Sequence, residues 1–191
     1  MLRLITAALL LVASTVSAFA GVACYGGLSA GKGITETSTS DISGPVTISA
    51  SGLIGGVELG CDYAIGSTVI GALARYDLMD LNATYQAGKI DGDAMWTIAA
   101  RAGVKINPGT LVYGLAGISG TELTYPGLNI DPTGITYGAG LEIDLATNNL
   151  AAFVEWSHVS LDERKTALGV KLDPESDLLR VGVRMKFNLG D

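Results

Sequence analysis

The sequence has few of the residues from which most enzyme centres are built. Its 191 residues include one histidine, His158, and two cysteines, Cys24 and Cys61. Zinc sites and histidine-based acid–base catalysis both need several such side chains close together. We therefore expect no catalytic residue, no metal site and no cofactor, and the chain is not predicted to be an enzyme.

Charged residues are scarce as well. They make up 16% of the chain, with 12 Lys and Arg against 19 Asp and Glu, and the net charge is −7. Nucleic-acid binding needs clustered cations to contact phosphates, so nucleic acid is excluded as a partner. A soluble domain normally carries about a quarter of its residues as charged side chains, so this composition is unusual for a protein in water.

Long apolar runs are also missing after the N-terminal segment. The chain is 48% hydrophobic and contains 26 glycines, yet its apolar residues are interrupted well before the roughly 18 consecutive positions that a membrane-spanning helix needs. A helical membrane protein is therefore excluded.

The first twenty residues have the order of an export signal. Arg3 supplies a positive charge, residues 4–12 form an apolar core, and Ala18-Phe19-Ala20 is a small-x-small cleavage pattern. We predict a signal peptide over 1–20 and a mature domain over 21–191. Gly21-Val22-Ala23-Cys24 offers an alternative, because it resembles a lipoprotein cleavage box in which Cys24 would be lipidated.

The mature sequence alternates with a period of two. In residues 96–106, 135–145 and 179–187, apolar side chains occupy every second position and charged or small residues fill the others. Successive side chains of a strand point to opposite faces. These segments are therefore predicted to be long strands with one apolar face.

A short unit of glycine, aliphatic, charged and aliphatic residues occurs four times. It begins at Gly56, Gly103, Gly140 and Gly182, so that its spacing is 47, 37 and 42 residues. If each unit belongs to a hairpin of two strands, the mature chain holds eight strands.

The predicted connections between strands are unequal in length. Short links with turn residues lie at 64–67, 107–110 and 146–149. Longer polar connections lie at 31–48, 79–93, 124–133 and 160–175. This asymmetry predicts an eight-stranded antiparallel up-and-down transmembrane β-barrel with short periplasmic turns and longer extracellular loops.

Charges inside the strands indicate which face is which. A soluble barrel with an apolar interior is the alternative architecture, but the strand charges balance, as they must inside a narrow lumen where an unpaired charge costs several kcal/mol. We predict that apolar side chains face lipid, and that inward glycines make room for a luminal network that fills the barrel. Its members are Glu58, Asp62, Arg75, Asp77, Arg101, Lys105, Glu142, Asp144, Glu155, Arg180, Arg184 and Lys186.

Aromatic residues often mark the two interfaces of a membrane protein. The predicted interface residues are Tyr25, Tyr63, Tyr76, Trp96, Tyr113, Tyr137 and Trp156.

Several segments resemble a known family. Residues 111–117 (LVYGLAG), 134–142 (GITYGAGLE), 152–156 (AFVEW) and 180–187 (RVGVRMKF) are similar to strand motifs of the small Gram-negative outer-membrane immunogenic proteins, which have an OmpA-like, opacity-type eight-stranded barrel. The resemblance implies insertion by the outer-membrane assembly machinery, which reads an aromatic residue at the end of the last strand. Phe187 would supply that assembly signal.

The two cysteines fall at the predicted periplasmic ends of the first two strands. Both lie on the outward face by parity, and the periplasm is oxidising. The pair is predicted either to form a disulfide or to remain as two free buried thiols.

The predicted loops carry most of the remaining charge. Outside the strands and the signal there are 13 acids and five bases, which indicates either a solvated acidic surface or a Ca²⁺ or Mg²⁺ site that bridges loops or lipopolysaccharide phosphates. Prominent acids are Asp91, Asp93, Asp162, Glu163, Asp173 and Glu175.

These observations predict a structural or surface-interaction role in the envelope. The expected location is the cell outer membrane. Expected partners are outer-membrane lipid and lipopolysaccharide, the assembly machinery, and host or envelope partners reached through the loops. A narrow porin passing small solutes is the alternative function.

Overall fold

The computed structural model describes the backbone of residues 21–41, 44–81, 83–85, 88–90, 92–125, 128–130, 132–145, 149–162, 164–165 and 171–188. Side chains are described for residues 21–35, 51–79, 94–121, 132–145, 149–162 and 175–187. The predicted signal peptide lies outside these ranges, as do the side chains of the loop acids Asp91, Asp93, Glu163 and Asp173.

Strands make up nearly all of the described chain. No helix long and apolar enough to cross a membrane occurs within those ranges. The strands are β1 (Val22–Asp41), β2 (Gly44–Ile65), β3 (Thr68–Leu81), β4 (Ala83–Tyr85), β5 (Gly88–Ile90), β6 (Gly92–Asn107), β7 (Thr110–Tyr125), β8 (Leu128–Ile130), β9 (Thr133–Asp144), β10 (Leu150–Leu161), β11 (Arg164–Lys165) and β12 (Lys171–Asn188).

Eight long strands form a closed barrel. β1, β2, β3, β6, β7, β9, β10 and β12 each pair antiparallel with the next, and β12 pairs with β1 to close the ring. The short strands β4, β5, β8 and β11 belong to the connections at one end. The predicted eight-stranded antiparallel barrel is therefore confirmed.

The register shows how strongly the strands are staggered. We start at Cys24 and move from each residue to its partner on the next strand. After one circuit of the barrel this path returns to β1 at Ile34, ten residues after Cys24. Stagger of this kind requires strands tilted by about 35–45° from the barrel axis. Side chains that are far apart in sequence are therefore brought to the same height inside the barrel.

The two ends of the barrel differ. Two-residue turns, Gly66-Ser67 and Pro108-Gly109, join β2 to β3 and β6 to β7 at what we call the turn end, and Gly66 adopts a φ of 62°, which glycine accepts without steric cost. The chain enters β1 and leaves β12 at this same end. The opposite end, with the longer connections, is called the loop end.

The predicted loop at 31–48 is wrong over most of its length. β1 and β2 continue as a hydrogen-bonded ladder up to the Asp41–Gly44 pair, and β12 pairs with the other edge of β1 from Lys171 onwards. Backbone pairing on both edges of β1 maintains a strand there, although its Ser- and Thr-rich sequence lacks the apolar alternation found nearer the turn end.

The outward surface of the barrel is apolar. Its most exposed large residues are Leu53 at 70% and Ile106 at 64%, and Tyr63, Tyr76, Tyr137 and Trp156 also point outward. Tyr25 and Tyr113 do not belong to this surface, because they are only 3% and 2% exposed and point into the barrel. Their prediction as interface residues is corrected accordingly.

Candidate functional site

Among the side chains that the structure describes, eight charged ones are buried inside the barrel. They are between 0% and 4% exposed, and the alternation of the strands directs each of them inward, opposite the apolar residues on the same strand. Four are acids and four are arginines, so their formal charges cancel. We call this set the luminal charge cluster: Glu58, Arg75, Asp77, Arg101, Glu142, Glu155, Arg180 and Arg184.

Arg184, on β12, lies at the centre of the cluster. Its Nε donates to Glu58 Oε1, and its Nη1 lies 2.5 Å from Glu142 Oε2. Its guanidinium also lies 3.9 Å from the centroid of the Phe153 ring, a cation–π contact. One arginine therefore links carboxylates of β2 and β9 while resting on an aromatic ring of β10.

Arg75 links two further carboxylates. Its Nη2 lies 2.7 Å from Glu58 Oε2, and its Nη1 lies 2.7 Å from Glu155 Oε1. Towards the loop end, Arg180 Nη1 donates to Asp77 Oδ2 at 2.9 Å. Because Glu58 contacts both Arg75 and Arg184, the ion pairs form a connected series rather than isolated couples.

The series continues to the turn end of the barrel. Arg101 Nη2 lies 3.0 Å from Asp62 Oδ2 and 3.1 Å from Glu142 Oε2. Lys186 Nζ lies 2.7 Å from Glu142 Oε1 and 2.5 Å from Asp144 Oδ1. Asp144 is 45% exposed and Lys186 26% exposed at the side chain, so these two residues pair at the mouth rather than in the interior.

Lys105 was predicted to belong to the luminal network, and the structure places it at the turn-end mouth of the lumen rather than in the buried cluster. It is exposed, near the end of β6, and lines a cavity of about 310 Å³ at the turn end together with Lys186 and Asp144. Strand parity predicts the face of a residue but not its height, and β6 reaches the mouth of the barrel at Lys105.

Two tyrosines that were predicted at the membrane interface, Tyr25 and Tyr113, instead contact the charge cluster. Tyr113 Oη donates to Glu155 Oε2 at 2.8 Å, and the guanidinium of Arg101 lies 4.5 Å from the Tyr113 ring centroid and 5.2 Å from that of Tyr25. Glycines opposite these rings could have indicated this placement. Gly140 is paired with Tyr113, and a side chain there would collide with the Tyr113 ring, so this inward glycine makes room for an aromatic residue rather than for Arg or Lys.

An apolar layer lies inside the barrel on the loop-end side of the charge cluster. Ile54, Met95, Val159 and Leu178 are 2–4% exposed and pack together. Ile54 precedes Glu58 by four residues on β2, and Leu178 precedes Arg180 by two residues on β12. Both strands run from the loop end to the turn end, so the two apolar residues lie nearer the loop end. These residues share the parity of the charged residues, so the prediction that apolar side chains face lipid and the charge network fills the lumen is corrected at this level.

The two cysteines are joined by a disulfide. Cys24 and Cys61 are directly opposite each other on β1 and β2, on the outward face near the turn end. Phe187, the predicted assembly signal, is opposite Cys24 on the other edge of β1 and is 48% exposed.

His158 lies on the outward face of β10. Its Nδ1 is 3.2 Å from Asp177 Oδ1, and its ring is 5.2 Å from that of Tyr137. The neighbouring Ser157 is buried in the interior, so these two residues point in opposite directions. Within the described residues no group of three or more His, Cys, Asp or Glu side chains is arranged to hold a metal ion.

Comparison with known families decides the classification. A family model described as "Outer membrane protein beta-barrel domain" matches residues 6–187. The chain belongs to this family. It is an outer-membrane β-barrel, and the turn end and loop end correspond to the periplasmic and extracellular ends of such barrels.

Solved structures similar to this outer-membrane barrel include Ail, the attachment invasion locus protein of Yersinia pestis, with 19% identity over 84% of this chain and 97% of Ail and a TM-score of 0.46. Neisserial surface protein A (NspA) has 19% identity over 84% of this chain and 97% of its own, with a TM-score of 0.48. The outer membrane protease OmpT from Escherichia coli has 9% identity over 91% of this chain and 100% of its own, with a TM-score of 0.40. A comparison with curated proteins finds no match.

Gly27 provides a test of the cluster's packing. A Cβ at this position would lie 2.9 Å from Glu58 Oε1 and 3.0 Å from the Val183 carbonyl oxygen. Gly27→Ala is therefore expected to displace Glu58 from Arg184 and to lower the free energy of unfolding of the outer-membrane barrel by about 1–3 kcal/mol. Urea titration of the barrel folded in phospholipid vesicles measures this.

Gly114→Ala is the matched control for Gly27→Ala. It also lies within a long strand, but a Cβ there would approach only the Gly138 carbonyl oxygen, at 3.6 Å. We expect little change in the free energy of unfolding for Gly114→Ala. Equal losses for the two variants would contradict the assigned role of Gly27.

Proposed function

We propose that this outer-membrane barrel has a structural, non-enzymatic role in the cell envelope and that its lumen does not conduct solutes. The observation that carries this proposal is the burial of the luminal charge cluster, in which eight ionisable side chains are at most 4% exposed. Ion pairs connect them from Asp77, through Arg180 and its 3.9 Å approach to Glu155, down to Lys186 at the mouth of the barrel.

Physical chemistry supports a closed lumen. An open aqueous pore hydrates the charged groups that line it, whereas Glu155 and Arg180 are each 1% exposed. Leaving one member of such a set unpaired costs about 3–5 kcal/mol, so the pairs hold one another in place. The apolar layer around Met95 and Leu178 adds a second obstacle on the loop-end side.

The outward surface supports a location in the outer membrane after export. We propose that residues 1–20 direct export, that Phe187 at the end of β12 is read by the assembly machinery, and that the apolar surface contacts outer-membrane lipid and lipopolysaccharide. Phe187 is 48% exposed on the outward face, where such a reader would have access to it before insertion.

The loop end supports an additional surface-interaction role. The β1–β2 ladder continues to the Asp41–Gly44 pair, well beyond the level of Ile34. We propose that this hairpin and the other extracellular connections present the surface to host or envelope partners.

A deletion strain tests the structural role. Loss of the gene from its source bacterium is expected to increase sensitivity to detergents and bulky antibiotics, because a folded barrel would be missing from the envelope. Restoration is expected from the wild-type chain and also from a chain shortened at the tip of the β1–β2 hairpin, since the barrel itself is unchanged. Slower uptake of small solutes with unchanged detergent sensitivity would contradict the proposal and favour a narrow porin.

A further inference from the structure

The disulfide lies in a part of the barrel where strand register is weakly specified. β1 has glycine at 26, 27, 31 and 33, and the facing part of β2 has glycine at 52, 55, 56 and 60. Glycine-rich strands offer few side-chain contacts that distinguish one register from another. A slip of two residues also preserves which side chains face lipid, so the hydrophobic pattern does not prevent it.

Register between β1 and β2 decides whether the luminal charge cluster can form. Gly27 is paired with Glu58 on one side and with Arg184 on the other, so the two charged side chains meet over a residue without a side chain. A slip of two residues would put Gly56 or Gly60 opposite Gly27. Glu58 would then be displaced from Arg184 at the seam where the barrel closes.

The Cys24–Cys61 bond fixes this register. It joins directly opposed residues at the turn end of the hairpin, across a sequence separation of 37 residues. Since Cys24 also faces Phe187 of β12, the cross-link lies beside the closing seam. The correct pairing of β1 with β2 is thus held covalently next to the pairing that completes the barrel.

The surroundings of the sulfur atoms indicate when the bond forms. Cys61 is exposed and Cys24 is half-buried on the outward face. Phe187 is paired with Cys24 and Tyr63 lies two residues after Cys61 on the same face; they are 48% and 43% exposed. Thiol–disulfide exchange requires a thiolate, and a charged sulfur is strongly disfavoured in lipid. Water-soluble oxidants and reductants also lose access to this surface once the barrel is inserted.

We propose that Cys24 and Cys61 are oxidised in the periplasm before insertion, so that the β1–β2 hairpin reaches the membrane with its register already fixed. One thiolate attacks the disulfide of a periplasmic dithiol–disulfide oxidant to give a mixed disulfide. The second thiolate then displaces the oxidant, which leaves as a dithiol. The two cysteines lose two electrons and two protons, and the oxidant gains them.

Thiol trapping of the unassembled chain tests the timing. The full chain is expressed in cells depleted of the outer-membrane assembly machinery, acid-quenched, denatured and treated with a polymer-linked maleimide. The expected result is that the unassembled chain is already bonded and shows no mass shift, whereas Cys24→Ala shows the shift from one thiol. An unassembled chain with two reactive thiols, or a folded wild-type barrel with two reactive thiols, would overturn the proposal.

A shifted cross-link tests the register. In the variant Cys61→Ala with Leu59→Cys, oxidation joins residue 24 to residue 59, which is two positions out of the native pairing of Leu59 with Gly26. Diagonal neighbours are about 7–8 Å apart, too far to bridge without moving the strands. We expect the oxidised variant to fold into vesicles at least about tenfold less than the oxidised wild type, and its reduced form to fold as well as Cys61→Ala. Equal folding of the oxidised and reduced variant would refute a role in register.

Discussion

Replacing Arg184 with alanine is expected to lower the free energy of unfolding of the folded barrel by about 3–5 kcal/mol. The side chain is 0% exposed and contacts two buried carboxylates, those of Glu58 and Glu142. Its removal leaves both without their central cation, in an interior where water cannot replace it. The Phe153 ring also loses the guanidinium above it.

Equilibrium unfolding by urea in phospholipid vesicles, followed by tryptophan fluorescence and by the heat-dependent mobility of the barrel on gels, measures this loss. Lys105→Ala is the control, because it removes an exposed cation at the mouth and is expected to change stability by about 0.5 kcal/mol or less. Adding Glu58→Gln to Arg184→Ala should recover part of the loss, since the two residues are coupled. Additive losses, or equal effects of Arg184→Ala and Lys105→Ala, would contradict the account.

The sequence predicted the fold because a membrane barrel imposes simple repeats on its strands. Alternation with a period of two follows from lipid on one side and a narrow lumen on the other, and the turns at Gly66 and Pro108 carry residues with strong turn preferences. Beyond the part of the barrel that contacts lipid, the alternation of apolar and polar residues stops. The Ser- and Thr-rich part of β1 therefore resembled a loop, although its backbone is paired on both edges.

The partners inside the lumen could not be read from the sequence. Parity placed Arg184 and Glu142 on the inward face, but their contact depends on the stagger of ten residues around the barrel, which emerges only when every strand pairing is known. The position of Lys105 was mispredicted for the same reason. Parity predicted the face of the strand on which it lies, but not how close it lies to the mouth of the barrel. Tyr113 was misassigned because apolar residues flank it on both faces of β7, and its pairing with glycines on both neighbouring strands, Gly103 and Gly140, reveals the space for an inward ring.

Ion conductance is expected to change most in a variant that opens both levels of the lumen. The charge cluster and the apolar layer lie one after the other along the barrel, so we expect either level alone to keep the current low. Glu58→Ala with Arg184→Ala removes one acid and one base, so the net charge is unchanged, and it abolishes the ion pair between them together with those to Arg75 and Glu142. Met95→Ala with Leu178→Ala shortens two side chains of the apolar layer. Each pair of substitutions alone is expected to leave the barrel nearly silent, and the four together are expected to produce current steps.

Only folded barrel, selected by its heat-dependent gel mobility, is reconstituted for these recordings, so that loss of stability is not mistaken for closure. A folded fourfold variant that remains silent would show that other side chains close the lumen, which contradicts the assignment to these two levels. Current through either double variant comparable to that of the fourfold variant would show that the two levels are not independent obstacles.

Planar-bilayer recording of the wild-type barrel tests whether its lumen is closed. We expect the purified, folded protein to insert without producing current steps above those of the bare bilayer, because the luminal charge cluster and the apolar layer occupy the interior. Reproducible current steps from the wild-type barrel would contradict a closed lumen and identify a narrow pore instead.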